Sequence, residues 1–181
     1  MRATSVFAIL LVYIAVSVGT AMAEQPNVTY VSSTTDDATY GADDSITITV
    51  TFSQNVLVSA TGGIPSIQLE TGTIDRYANY SDGSGTNTLT FNYVVQPGDT
   101  SSRLNYVDTN SLVLNDGQIG IKNIDAILTL PSLNGPNSLS ANKYIVINTN
   151  GPPSPAPELP SLLLTSAGLI EVILLTRKYK R

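Results

Sequence analysis

Two pairs of aspartates, Asp36-Asp37 and Asp43-Asp44, are the side chains of this chain best suited to chemistry. The pairs lie seven residues apart, and hard carboxylate oxygens gathered at one end of a domain are what Ca2+ requires. The competing reading is that each pair starts a turn, where Asp bonds to nearby backbone, and keeps a lysine-poor surface soluble. No spaced Asp-x-Asp-x-Asp loop accompanies them, which favours the turns. Glu70, Asp75 and Asp82 are formal candidates for a paired-carboxylate glycosidase, but they fall at strand ends and in a turn, where Asp serves the local backbone. The chain has no His and no Cys. Without an imidazole base a serine cannot be activated in the usual way, and thiolate or imidazole metal sites cannot exist. A non-enzymatic protein is therefore expected, with no cofactor unless Ca2+ binds. Two sequons, Asn27-Val28-Thr29 and Asn79-Tyr80-Ser81, offer Asn27 and Asn79 as glycan acceptors. Tyr77 and Tyr80 are candidates for stacking on sugar rings, although half-buried strand tyrosines are the commoner use.

The elements that must position these groups are strands. Residues 45–52, SITITVTF, place Ile46, Ile48, Val50 and Phe52 on one face and threonines on the other. Residues 88–95, TLTFNYVV, repeat the pattern with Leu89, Phe91, Tyr93 and Val95, and the two stretches are expected to be facing walls of one core. Shorter runs at 28–32, 55–58, 66–69, 77–80, 104–106, 112–114, 127–130 and 143–147 lie between Gly-, Asn-, Asp- and Pro-rich turns. Asn115-Asp116-Gly117 between apolar runs is a hairpin signal. No sustained helical period interrupts residues 24–150. The expected fold is all-β: a single antiparallel β-sandwich of the immunoglobulin or cadherin kind over residues 24–148. The Cys pair and the Trp of true immunoglobulin domains are absent. An open edge strand at 28–32 or 143–147 would permit self-association.

Residues 24–150 hold four basic residues (Arg76, Arg103, Lys122 and Lys143) against twelve acidic ones, a net charge near −8. That balance disfavours nucleic acid as a partner. The flanks are different in kind. Arg2 precedes an apolar run at 6–18 and then Ala21-Met22-Ala23, the pattern of a secretory signal peptide (residues 1–23) cut after Ala23, so that Glu24 becomes the first residue. Residues 149–158 are Pro-rich and are expected to form an extended spacer rising about 3.1 Å per residue. Residues 159–176 are apolar enough to cross a bilayer as a transmembrane helix, despite the cost of Glu171, and 177–181 form a basic cytoplasmic tail. The expected location is the cell surface or beyond, with attachment to the membrane at least for a time.

Two resemblances sharpen these expectations. Pro157-Glu158, the apolar segment containing Gly168, and the basic end together resemble the PEP-CTERM and PEF-CTERM class of sorting signals. The resemblance implies recognition of Pro157, Glu158, Leu159 and Pro160 by an exosortase or archaeosortase that removes the tail and transfers the protein. Leu159 stands where the named variants carry Pro or Phe, and Leu162-Leu163 stand where an LPxTG signal needs Thr-Gly. A permanent single-pass anchor is the alternative, because length and flanks suit it equally. In the middle, the opening VTYVSS, the strand ITVTFSQNV, the block GSGTNTLTF, LTLP at 128–131 and the closing KYIVIN resemble one unit of a bacterial Ig-like adhesin repeat. That likeness implies a sandwich used in adhesion, matrix or envelope structure. Ile121-Lys122-Asn123-Ile124 replaces the usual Asp-Ala-Gly-Asn turn, and a single unit is present. A Ca2+- or glycan-binding surface module is the second functional reading.

Overall fold

Period-two alternation produces the central strands of the domain. The computed structural model describes residues 24–150. Strand β3 (Ser45–Ser59) carries Ile46, Ile48, Val50, Phe52 and Val56 into the core, and β6 (Thr86–Val94) adds Leu89, Phe91 and Tyr93. Each such fully buried aliphatic or aromatic side chain contributes about 1.5–3 kcal/mol from loss of contact with water. β3 and β6 are not facing walls, as the pattern had suggested. They are antiparallel neighbours in one sheet, with Ile48 opposite Phe91 and Val50 opposite Leu89. Alternation fixes which face of a strand is buried, but it carries no information on whether two strands pair or oppose.

The larger sheet has eight strands in the order β10-β9-β3-β6-β5-β4-β8, with β1 also paired to β3. These are β1 (Val28–Ser33), β4 (Ser66–Leu69), β5 (Arg76–Asp82), β8 (Leu112–Val113), β9 (Gln118–Ile121) and β10 (Ile124–Asp125) around the central pair. The expected separate strand at 55–58 is the continuation of β3. An irregularity between Thr51 and Val56 bends β3, so that β1 pairs with its first half and β9 with Leu57, Val58 and Ser59. A bulge in β1 between Val28 and Tyr30 turns both Val28 and Val31 inward although they are three apart.

A three-stranded sheet, β2 (Thr39–Tyr40), β11 (Val146–Asn148) and β7 (Thr100–Ser101), forms a second, smaller piece. The core is completed by Leu104, Tyr106, Leu130, Leu139 and Ile145, several from segments without regular strand structure. Residues 104–106 and 127–130, expected as strands, contribute only isolated bridges, Leu69 to Tyr106 and Asn27 to Ile127. Their carbonyls and amides instead meet irregular backbone, for example Leu130 N–H to Thr109 O at 2.8 Å. One helical turn, α1 (Leu139–Asn142), buries Leu139 against β1. The whole is mostly strand with almost no helix, consistent with an all-β sandwich. Among the described residues no helix is long and apolar enough to cross a membrane.

One expected hairpin is absent, and one that was not expected is present. Asn115-Asp116-Gly117 is a tight turn with positive φ of 50° and 65° at Asn115 and Asp116, closed by Gly117 N–H to Leu114 O at 2.8 Å. The strands it joins do not form a hairpin. β8 goes to β4 and β9 goes to β3, so the chain crosses between sheet edges at this turn. Gly62 and Gly63 pack beneath it so closely that a Cβ on either would collide with a carbonyl oxygen of Asp116 or Asn115. Ile121-Lys122-Asn123-Ile124, by contrast, does form a two-residue hairpin between β9 and β10.

Candidate functional site

The loop between β1 and β3 carries the four aspartates. Asp37 Oδ1 accepts from the Tyr144 N–H at 3.0 Å, and Asp44 Oδ2 accepts from the Gly41 N–H at 2.8 Å. Asp43 occupies a left-handed turn position, φ 71°, with its N–H bonded to Val95 O at 2.9 Å. The Tyr40 hydroxyl donates to Asp36 O at 2.9 Å. Burial raises the Tyr40 pKa, and the nearby carboxylates of Asp36, Asp44 and Asp37 raise it further. Tyr40 is thus the group that feels three of the four carboxylates. Among the described residues, however, no three acidic, His or Cys side chains are placed to hold a metal ion. Asp44 closes its own loop through the Gly41 N–H, which is the work of a turn residue, and Asp37 ties the loop to Tyr144.

The acidic side chain with the most elaborate surroundings is a fifth one, Asp99. It is 1% exposed, in the turn after β6. Its Oδ1 accepts from Arg76 Nε at 2.9 Å, and its Oδ2 accepts from the Tyr93 hydroxyl at 2.7 Å and the Gln96 N–H at 2.9 Å. The Asp99 carbonyl accepts from Thr149 Oγ1, which itself accepts from the Gly98 N–H, both at 2.9 Å. Burial raises the Tyr93 pKa strongly, and the hydrogen bond to Asp99 adds to it. A buried carboxylate with three donors, one of them a cation, is fully satisfied. This cluster ties β5, β6 and the last residues of the domain together. In the sequence Asp99 is one residue of a Gly-, Asp- and Pro-rich turn, Pro97-Gly98-Asp99, with nothing to mark it. The available signal was Tyr93, an inward-facing tyrosine whose hydroxyl needed a partner.

Of the remaining candidates, Glu70 and Asp75 lie one residue beyond the paired Leu69 and Arg76 at one end of the β4–β5 ladder, and Asp82 lies at the other end of β5. Glu70 Oε1 accepts from the Gly72 N–H at 3.3 Å, and Asp82 Oδ1 accepts from the Gly83 N–H at 2.7 Å. Asp75 and Asp82 flank opposite ends of β5, about 20 Å apart at strand rise, too far for one glycosidase pair. Asn27 is half-buried, with its Nδ2 donating to Val28 O at 3.3 Å. Asn79 is exposed on the outer face of β5, opposite Asn92 of β6. Glu24 is exposed, and its carbonyl accepts from Gln54 Nε2. Ala21, Ala23, Pro157, Glu158, Leu159 and Pro160, with the expected signal peptide, apolar helix and basic tail, lie outside the described residues.

The outer face of the larger sheet is uniform in character. β3 presents Thr47, Thr49 and Thr51, and β6 presents Thr88, Thr90 and Asn92 in register beside them. β5 adds Tyr77, Asn79 and Ser81, none of them charged. Tyr77 is 48% exposed. Two open depressions adjoin along Tyr77 and Asn79, one reaching Asn92, Val94 and Gln96, the other reaching Ser66, Val113 and Asn115. Such a surface can offer hydroxyl and amide hydrogen bonds around an aromatic ring, but neither a nucleophile with a base nor a metal. No family model, curated protein or solved structure matches this chain.

Proposed function

We propose that the protein is a non-catalytic, exported surface protein that displays one Ig-like β-sandwich on a Pro-rich spacer, for adhesion, matrix or envelope structure. The observation that carries this reading is the order of segments in the chain. A signal-type start ending at Ala21-Met22-Ala23 and an apolar, basic-ended tail after Pro157-Glu158 bracket a β domain. The domain's own chemistry agrees with a display role. Asp44 and Asp82 accept from amides of their own turns, Asp99 is locked in an ion pair with Arg76, and the domain's stability owes nothing to disulfides because cysteine is absent. The tail would hold the protein in the membrane, as an anchor or until an exosortase- or archaeosortase-like enzyme removes it.

Self-association through the edges named from the sequence loses its support. β11 lies between β2 and β7, and the outer side of β1 is occupied, with Val31 N–H bonded to Asn137 O at 3.0 Å. A Ca2+ role has no specific observation in its favour. Protease shaving of intact cells tests the display reading: peptides from 24–150 are expected in the released fraction. Their confinement to the cytosolic fraction after lysis would refute it.

A further inference from the structure

We infer that the outer face of β4, β5 and β6 is a binding surface for a neutral glycan, centred on Tyr77. The inference rests on the display reading above, since an exported domain meets glycans. Three observations carry it. Tyr77 is a half-exposed aromatic, flanked by depressions on both sides instead of packed under a neighbouring element. A tyrosine so placed offers an apolar ring face together with a hydroxyl, which suits the alternating C–H and O–H character of a sugar. Asn79 and Asn92 sit directly opposite each other beside it. Asn92 Oδ1 accepts from Ser45 Oγ at 2.7 Å, which fixes the amide with its two N–H donors available, and the exposed Asn79 amide supplies both a donor and an acceptor. Paired amides on a rigid sheet match adjacent hydroxyls without needing charge.

Charge decides the class of glycan. Among the described residues the one cation lining the depressions, Arg76, is paired with Asp99 at 2.9 Å, and the domain as a whole is strongly acidic. An anionic polysaccharide would meet repulsion with no free cation to offset it, whereas a neutral one loses nothing. A second copy of the chain fits less well, because the centre of a protein interface is enriched in apolar and aromatic groups and this face is mostly hydroxyl and amide.

The test uses the purified full-length chain in a detergent without a sugar headgroup. It is applied to an array of neutral and acidic oligosaccharides, and the strongest neutral hit is then titrated calorimetrically. Binding to neutral oligosaccharides, unchanged between low and high salt, is expected. Tyr77→Ala is expected to weaken it about tenfold, and Asn92→Ala is expected to weaken it measurably. Tyr144→Ala, at an equally exposed tyrosine elsewhere, should leave it intact. Both test positions are solvent-facing, and unchanged melting of the variants confirms their folding. Binding to acidic glycans alone, no binding at all, or binding indifferent to Tyr77→Ala would overturn the inference. So would a covalent glycan on Asn79 in the native protein, or sedimentation showing a dimer lost in Tyr77→Ala. None of these outcomes touches the display reading, which the shaving experiment tests separately.

Discussion

With Asp99 replaced by asparagine, Arg76 would lose its carboxylate and the Tyr93 hydroxyl its charged acceptor. Asp99→Asn is expected to cost about 3 kcal/mol in urea unfolding, because charge-assisted bonds around a buried group are broken together. The expected gain lies at Lys122, whose φ of 48° is a left-handed position without the Asn or Gly that favours it. Lys122→Asn should stabilise the domain by roughly 0.5 kcal/mol. The buried tyrosines set the alkaline limit. Burial pushes the Tyr106 hydroxyl, bonded to the Pro131 carbonyl, from the ordinary 10.0 up to about 12. In the unfolded chain the same group ionises near 10, so between about 10 and about 12 the folded state holds more protons. Stability is therefore full below about pH 10 and falls as pH rises toward 12, with Tyr93 steepening the loss. Melting curves across that range should show the fall, and Tyr106→Phe should flatten it at a cost of about 1 kcal/mol at neutral pH.

At the scale of elements, Phe91→Ala in β6 should destabilise by about 3–5 kcal/mol, since Phe91 is fully buried at the centre of the sheet, edge-on to Tyr80. Gly63→Ala should be severe for another reason: no side chain fits under the Asn115 carbonyl where two loops cross. The long strands were legible because Ile46 to Phe52 and Leu89 to Val95 alternate without interruption. The short ones were not. β2 and β7 have two residues each, Thr39-Tyr40 and Thr100-Ser101, too few for a period to register. β9 and β10 were hidden by Gly120, which is glycine because a Cβ there would strike the Ile124 carbonyl across the hairpin. Leu104, Tyr106 and Leu130 read as strand residues because burial, not pairing, dictates hydrophobicity. The pairing of β8 with β4 and β9 with β3 is a long-range choice that no local turn signal at Asn115-Asp116-Gly117 could disclose.

For the molecule as a whole, the loop of Asp36, Asp37, Asp43 and Asp44 was visible in the sequence as a run of carboxylates. Spacing could not reveal that Asp44 and Asp37 each have an oxygen engaged by the Gly41 and Tyr144 amides respectively. A thermal melt with and without EDTA should therefore give the same midpoint, and a lowered midpoint with EDTA would restore Ca2+ to the account. The Tyr77 face was only half legible: the alternation of β5 puts Tyr77 and Asn79 on one side, but Asn92 joins them only through the register of β5 with β6. The central claim, that this β domain is exported and displayed, is tested most directly by intact mass and N-terminal sequencing of the protein recovered from the cell envelope. A chain beginning at Glu24 is the predicted result. A chain beginning at Met1, or recovery from the cytosol alone, would contradict it.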